Sequence, residues 1–211
     1  MSSILSHAIV EPALFVPSLP ATTLTPVRRL PTIEQSVVHF EPFTPQTAEI
    51  AGHWLEDEQN YKWLDFGGGR QSISGRTLYY MSQSKDHYIR SMVDANDRQV
   101  GVIGLQHVSS PFRNAMLWGV RPRLRPPTRG HAWIEIKNFL AIGFINLNLH
   151  SVYAWVAESN RLSLATLERV GFCSMGRQRC AHVVDGVMKD RVLLDLLASE
   201  FVPYERCRDV Q

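Results

Sequence analysis

The sequence holds no run of eighteen or more apolar residues, so no segment is apolar over the length that a transmembrane helix needs. Cysteine is scarce: Cys173, Cys180 and Cys207 are too few and too scattered for a disulfide framework or a four-ligand zinc site. We therefore expect free thiols in a reducing compartment and no bound metal. A large excess of charge is also absent, since 22 lysines and arginines face 20 aspartates and glutamates. This balance argues against a protein that binds nucleic acid through bulk charge.

The first part of the chain differs from the rest. Its first twenty residues contain no lysine or arginine, which predicts no secretory signal and a cytoplasmic protein. Residues 1–35 hold five of the twelve prolines, and proline blocks helix continuation. We interpret this segment as a Pro-rich N-terminal extension, followed by one domain over residues 36–211. Three interpretations of the extension stay open. It has no role of its own, it binds a partner, or it is exchanged between the two subunits of a homodimer.

Apolar periodicity and turn residues predict alternating strands and helices after residue 36. In chain order, the predicted elements are a strand near 37–40, helices over 45–64 and 75–94, strands over 98–107 and 114–120, a helix over 136–147, a strand over 152–156, a helix over 161–170, and a final hairpin that turns at Asp185-Gly186. This order predicts an α/β (α+β) sandwich, with one sheet and helices on its faces. The triplet Asp65-Phe66-Gly67, which two more glycines follow, predicts a turn.

The stretch from Trp118 to Ala132 (WGVRPRLRPPTRGHA) carries the clearest chemical signal. A predicted strand ends in a loop with four arginines, and Gly130 then opens a helix. A helix N-terminus has free amides and a positive dipole end, so it can hold a phosphate. Gly130 and Ala132 let an anion approach the backbone closely, and arginines add fork-shaped donors. An ordinary solvated basic loop before a helix would give the same pattern.

Together with Asn160 in the run SNRLSLATLERVGF, this stretch resembles the GNAT superfamily of acyl-CoA-dependent N-acyltransferases. The pyrophosphate signature of that family is Arg or Gln, two residues, Gly, one residue, then Gly or Ala. Gly130-His131-Ala132 fits its second half, whereas Pro127 stands at the Arg/Gln position. Arg129, Glu135 and Asn160-x-x-Ser163 are similar to the Rim-type branch, which acetylates the N-termini of ribosomal proteins.

The resemblance implies the GNAT fold, one mixed and mostly antiparallel sheet with helices on both faces. It also implies transfer of an acetyl group from acetyl-CoA to a primary amine in a ternary complex. The acceptor would be a peptide N-terminus, an amino sugar or a small-molecule amine. The backbone from Thr128 through Arg129, Gly130 and His131 to Ala132 would bind the pyrophosphate, and Asn160 would contact the pantetheine arm. A backbone N–H at Gly119 or Val120 would stabilise the negative charge on the thioester oxygen.

The amine must lose a proton and the departing thiolate must gain one. A glutamate of the Rim-type branch lies a few residues before the late hairpin turn, and His182 stands there in this chain. Its ordinary pKa of about 6.5 suits a general base. His107, Glu41, Asp57 and Glu135 are the alternatives; Glu135 also favours the helix dipole in the first turn.

Many relatives use a tyrosine as the acid, at a position where this chain has Leu167. Ser163 matches a serine proposed for that role in the Rim-type branch. The aromatic residues Trp54, Trp63, Tyr79 and Tyr80 line an acceptor pocket or pack in the core. Two other functions stay open: a non-catalytic acyl-CoA-binding sensor, and an RNA-binding module that uses the arginine loop.

Overall fold

The computed structural model describes residues 38–122 and 132–203. The predicted N-terminal extension, most of the arginine loop and the C-terminal residues lie outside these ranges. The domain division near residue 35 therefore stays a prediction.

The described chain has seven strands and five α-helices. The strands are β1 (Val38–Pro42), β2 (His87–Asp94), β3 (Gln99–Gln106), β4 (Asn114–Val120), β5 (Ser151–Ala157), β6 (Cys173–Val184) and β7 (Val187–Leu197). The helices are α1 (Pro45–Trp54), α2 (Glu58–Tyr61), α3 (Gly75–Gln83), α4 (Ala132–Ala141) and α5 (Arg161–Val170), and a π-helical turn, Ile142–Asn146, extends α4.

All seven strands form one sheet in the order β1-β2-β3-β4-β5-β7-β6. Neighbouring strands are antiparallel except β4 and β5, which are parallel. One hydrophobic cluster packs α4 and α5 against the sheet, and it includes Phe139 and Leu167. A second hydrophobic cluster packs α1 and α3 against the sheet, and it includes Leu78 of α3. Val102 of β3 and Val120 of β4 belong to this cluster, because alternate residues of a strand face opposite sides of the sheet. The predicted mixed sheet with helices on both faces is therefore confirmed.

Two helix predictions were too long. The predicted helix over 75–94 is wrong beyond Gln83, because α3 ends there and β2 begins at His87. The apolar residues of Tyr88–Val93 fit a helix or a strand equally well. The segment is a strand because its backbone pairs with β1 and β3. The predicted helix over 45–64 is two helices, α1 and α2, and Asp57 caps the second through Gln59 N–H.

The predicted helix over 161–170 and the predicted hairpin turn at Asp185-Gly186 are confirmed. Asn160 caps α5, and Gly171 ends that helix at φ 118°. Asp185 and Gly186 turn between β6 and β7 with φ values of 50° and 74°, as an Asp-Gly hairpin requires.

Candidate active site

A gap opens in the sheet between β4 and β5. Their parallel pairing covers only Asn114–Met116 against Ser151–Tyr153. Beyond these residues β4 stays paired to β3 as far as Val120, and β5 stays paired to β7 as far as Ala157. The carboxyl-terminal halves of the two strands therefore diverge, and the backbone edges that face each other have no strand partner. Such edges can bind an extended ligand through N–H and C=O groups.

An ion pair connects the end of β4 to the first turn of α4. Arg121 follows β4 directly, and its Nη1 lies 2.5 Å from Oε2 of Glu135. Glu135 is 1% exposed, whereas the side chain of Arg121 is 25% exposed. Because this pair joins the strand to the first turn of the helix, it holds the N-terminal end of α4 beside the open end of the gap.

The N-terminus of α5 lies at the same edge, because β5 runs parallel to β4 and its chain leads directly into α5. Oδ1 of Asn160 accepts a hydrogen bond from Ser163 N–H at 3.2 Å. The Asn160 side chain thus satisfies one free amide of the helix, and its own NH₂ group makes no hydrogen bond within the described ranges. Ser163 is half-buried on the α4–α5 side of the sheet.

The predicted coenzyme-binding residues fall into two groups. Gly119 and Val120 lie on the diverging half of β4, and Ala132 begins α4. Gly119 is exposed and has no side chain of its own to cover its backbone at the gap. Thr128, Arg129, Gly130 and His131 lie outside the described residues.

The opposite face of the gap, on the side of α1 and α3, carries aromatic side chains. Trp118 lies over Gly104 of β3, its register partner, where an added Cβ would come within 2.7 Å of the indole ring. Phe66 packs edge-on against Trp118, with ring centroids 5.7 Å apart. Only glycine at position 104 leaves room for the indole in this orientation.

Trp155 of β5 forms the other wall of this face. The guanidinium of Arg191 lies 4.0 Å from the centre of its ring, a cation–π contact. Arg191 also donates to Oδ2 of Asp65 at 2.5 Å. The adjacent residues Asp65 and Phe66 therefore reach both sides of the gap, Phe66 toward β4 and Asp65 toward β5 and β7.

A glycine turn holds this pair of residues in place. Oδ1 of Asp65 accepts hydrogen bonds from Gly67 N–H at 2.8 Å and from Gly69 N–H at 3.1 Å. Gly67, Gly68 and Gly69 all have positive φ, which non-glycine residues rarely adopt. Burial raises the pKa of Asp65, but the hydrogen bonds from Arg191 and Gly67 outweigh it and lower the pKa overall. The predicted turn is confirmed.

His182 is buried beside this turn, with 3% of its surface exposed. Nε2 lies 2.8 Å from the carbonyl oxygen of Lys62, which can only accept, so Nε2 carries the proton. Nδ1 is then the acceptor and lies 3.5 Å from Nη2 of Arg191. Burial lowers the pKa of His182, the Lys62 hydrogen bond raises it, and the charge of Arg191 lowers it further. The imidazole is therefore neutral near pH 7.

Hydrogen bonds of two more side chains connect residues 62–71 to the β6–β7 hairpin. Lys62 Nζ donates to both carboxylate oxygens of Asp185, at 2.9 and 3.2 Å. Gln71 Nε2 donates to the Val183 carbonyl at 2.8 Å and lies 3.3 Å from His182 Nε2. His182 thus lies inside a network that positions the segment over the gap.

Three of the four alternative bases have other contacts, whereas Glu135 lies beside the open end of the gap in its ion pair with Arg121. Glu41 is on β1, the edge strand, and contacts His39. Asp57 caps α2. His107 follows β3 at the end where β4 and β5 are still paired, and its Nδ1 lies 3.1 Å from Asp86.

The aromatic residues that the sequence suggested for an acceptor pocket differ in burial. Trp54 and Tyr79 pack against the core of the α1–α3 side, and Tyr80 is 68% exposed. Sequence reasoning missed Phe66, Trp118 and Trp155. A tryptophan on each of two neighbouring strands was the only available signal, and it does not reveal where those strands separate.

Across residues 38–122 and 132–203, no group of three or more His, Cys, Asp or Glu residues could hold a metal ion. Within the same part of the chain, no helix is both long and apolar enough to cross a membrane.

No family model and no curated protein matches the sequence at a significant level. Solved structures do match. Spermidine N-acetyltransferase from Vibrio cholerae, in complex with CoA and spermine, superposes with a TM-score of 0.69 at 17% identity, over 78% of this chain and 97% of that chain. A chimera of the Vibrio cholerae SpeG and hSSAT superposes with a TM-score of 0.64 at 21% identity, over 78% of this chain and 98% of that chain.

The TM-scores of 0.69 and 0.64 establish a shared fold, whereas identities of 17% and 21% establish no more than that, so the site has to be argued from this chain's own residues. The superpositions extend over 78% of this chain and nearly the whole of each neighbour. The described part of the chain therefore has the fold of the GNAT acetyltransferases.

Proposed function

We propose that this protein transfers an acetyl group from acetyl-CoA to a primary amine. The observation that carries the proposal is the gap between β4 and β5, with the N-termini of α4 and α5 at its open edge. The amide groups of β4 and the positive ends of two helices suit a long ligand that carries phosphates at one end. One structural neighbour is a complex with CoA and spermine, which supports this choice of ligand.

In this proposal the residues act on the two sides of the gap. Asn160 contacts the pantetheine arm through its NH₂ group, and an amide of Gly119 or Val120 donates to the thioester oxygen as it gains charge. Thr128, Arg129, Gly130, His131 and Ala132 remain the predicted phosphate contacts. A C–N bond forms as the C–S bond breaks, and CoA leaves as a thiol after gaining a proton.

Proton transfer is assigned to one residue on each side. His182 remains the proposed base, and Nδ1 is the nitrogen that would accept the proton from the amine. The nearby guanidinium of Arg191 opposes that step, so an effect of His182 through the Asp65–Arg191 network has to be separated from a direct one. Ser163 remains the proposed relay to the thiolate, from the α4–α5 side. For Glu135 the ion pair with Arg121 supports a positioning role at the start of α4.

Calorimetric titration of the full chain with acetyl-CoA tests binding, and thiol release with a panel of amines tests transfer. Asn160→Ala should weaken acetyl-CoA binding and lower stability by about 1 kcal/mol, the usual cost of losing a cap. Asn146→Ala, at an exposed position at the far end of the α4 segment, is the matched control. Binding without thiol release from any amine would indicate the non-catalytic acyl-CoA sensor, and no binding at all would refute the proposal.

The resemblance to the Rim-type branch would make the acceptor a peptide N-terminus. The structural neighbours are instead spermidine N-acetyltransferases, and spermidine is a polyamine. Because these two resemblances point to different acceptors, the acceptor class has to be inferred from the side chains around the gap.

A further inference from the structure

We propose that the acceptor is a small monoamine with a flat aromatic body, held on the α1–α3 face of the gap between Trp118, Trp155 and Phe66. This inference rests on the proposed acetyl transfer and names the substrate class of the same site. Two features of this face favour such a monoamine over a polyamine. Its walls are aromatic, and its carboxylates Asp65 and Asp185 are already paired.

The walls are aromatic and partly open. Trp118, Trp155 and Phe66 are each half-buried, so each residue keeps some exposed surface. Trp118 leans toward β3, over Gly104, whereas Trp155 lies beside Arg191 and His182 on the opposite side. Phe66 approaches Trp118 from the segment above the sheet. An aromatic ring between such walls gains offset or edge-to-face contacts, which a linear polar chain cannot make.

Two carboxylates on the segments around these walls are already paired. Asp65 is paired with Arg191, and Asp185 is paired with Lys62. Both cations come from neighbouring segments of this face, so the two carboxylates cannot also balance a polycation without breaking the network that holds the segment over 62–71.

A monoamine carries no charge beyond the amine that reacts. A triamine would bring two further charges to an aromatic surface whose neighbouring carboxylates, Asp65 and Asp185, are already paired.

The test compares three acceptors with the full-length protein and acetyl-CoA: 2-phenylethylamine, spermidine and a short peptide with a free N-terminal alanine. We expect kcat/KM to be at least about tenfold higher for 2-phenylethylamine than for the other two, as one or two aromatic contacts would give. A preference for spermidine or for the peptide overturns the substrate class and leaves acetyl transfer intact. Absence of thiol release with all three overturns the proposed function and this inference together.

Variants test the position of the ring. Phe66→Leu keeps an apolar side chain but removes the aromatic edge, and it should lower kcat/KM for 2-phenylethylamine about threefold to tenfold with unchanged affinity for acetyl-CoA. Phe112→Leu is the matched control, because Phe112 is 80% exposed in the loop between β3 and β4, at the closed end of the gap. Equal activity of the two variants toward 2-phenylethylamine would overturn the assignment.

Discussion

The ion pair between Arg121 and Glu135 gives the most informative single perturbation, Glu135→Gln. The change keeps the size of the side chain and one acceptor oxygen, but it removes the charge that faces Arg121 Nη1 at 2.5 Å. Breaking a buried pair costs about 3–5 kcal/mol when the remaining charge is fully buried. Arg121 retains 25% exposure and can be hydrated. We therefore expect the smaller loss typical of a hydrogen bond to a charged group, about 1.5–3 kcal/mol.

Thermal unfolding and calorimetry with acetyl-CoA measure the two consequences. A loss of that size should lower Tm by about 3–12 °C for a domain of this length. Acetyl-CoA should bind more weakly, because the first turn of α4 is no longer fixed to the end of β4. At saturating acetyl-CoA, kcat should change by less than about threefold, since a positioning residue does not touch the reacting atoms.

Glu168→Gln provides the matched control for the same chemical change at an exposed position of α5, where stability should change by less than about 0.5 kcal/mol. The reasoning is refuted if Glu135→Gln leaves Tm and acetyl-CoA affinity unchanged. A fall in kcat of more than about a hundredfold, with unchanged stability, would instead identify Glu135 as a catalytic residue.

Three further changes test the face with the aromatic walls. Gly104→Ala should raise KM for the amine and leave acetyl-CoA binding unchanged in calorimetry, because the new Cβ would lie 2.7 Å from the indole of Trp118; an unchanged KM would contradict the position of that ring. Gly68→Ala should cost about 1–2 kcal/mol in chemical denaturation, since φ is +62° and no atom lies within 4 Å of the new Cβ; a neutral result would mean that the turn adapts. His182 is neutral when folded and has a lowered pKa, so its contribution to stability is complete above the unfolded-state pKa of about 6.5 and is lost as pH falls from there toward the folded pKa. The free energy of unfolding should therefore fall less steeply below pH 6.5 in His182→Gln than in the parent protein, and identical slopes would exclude the buried imidazole as the cause.

His182 also shows how a sequence position can carry more than one role. Its place shortly before the Asp185-Gly186 turn suggested a general base, and the structure adds that both ring nitrogens face protein groups. Turnover of His182→Gln with acetyl-CoA and 2-phenylethylamine separates the roles. If His182 is the base, kcat falls at every pH; if it only positions Arg191 and the segment over 62–71, KM for the amine rises and kcat persists.

Local sequence was sufficient wherever a backbone conformation depends on a few neighbouring residues. The helix over 161–170 and the Asp185-Gly186 turn were predicted because helix ends and positive-φ turns require particular residues within a short segment. The alternation of elements also predicted the fold class, since helices and strands that each bury one side must form layers. The stretch Tyr88–Val93 was missed because its apolar run fits a helix or a strand, and only pairing with β1 and β3 decided between them.

The sequence by itself determined the turns, the caps and the alternation of elements, because each depends on side chains only a few residues apart. Only the tertiary structure decided the site. The contacts of Asp65 with Arg191 and of Lys62 with Asp185 join residues more than a hundred positions apart. Trp118 and Trp155 became opposite walls because β4 and β5 stop pairing after three residues. Such distances are fixed by the packing of the whole sheet, and no periodicity along the chain encodes them.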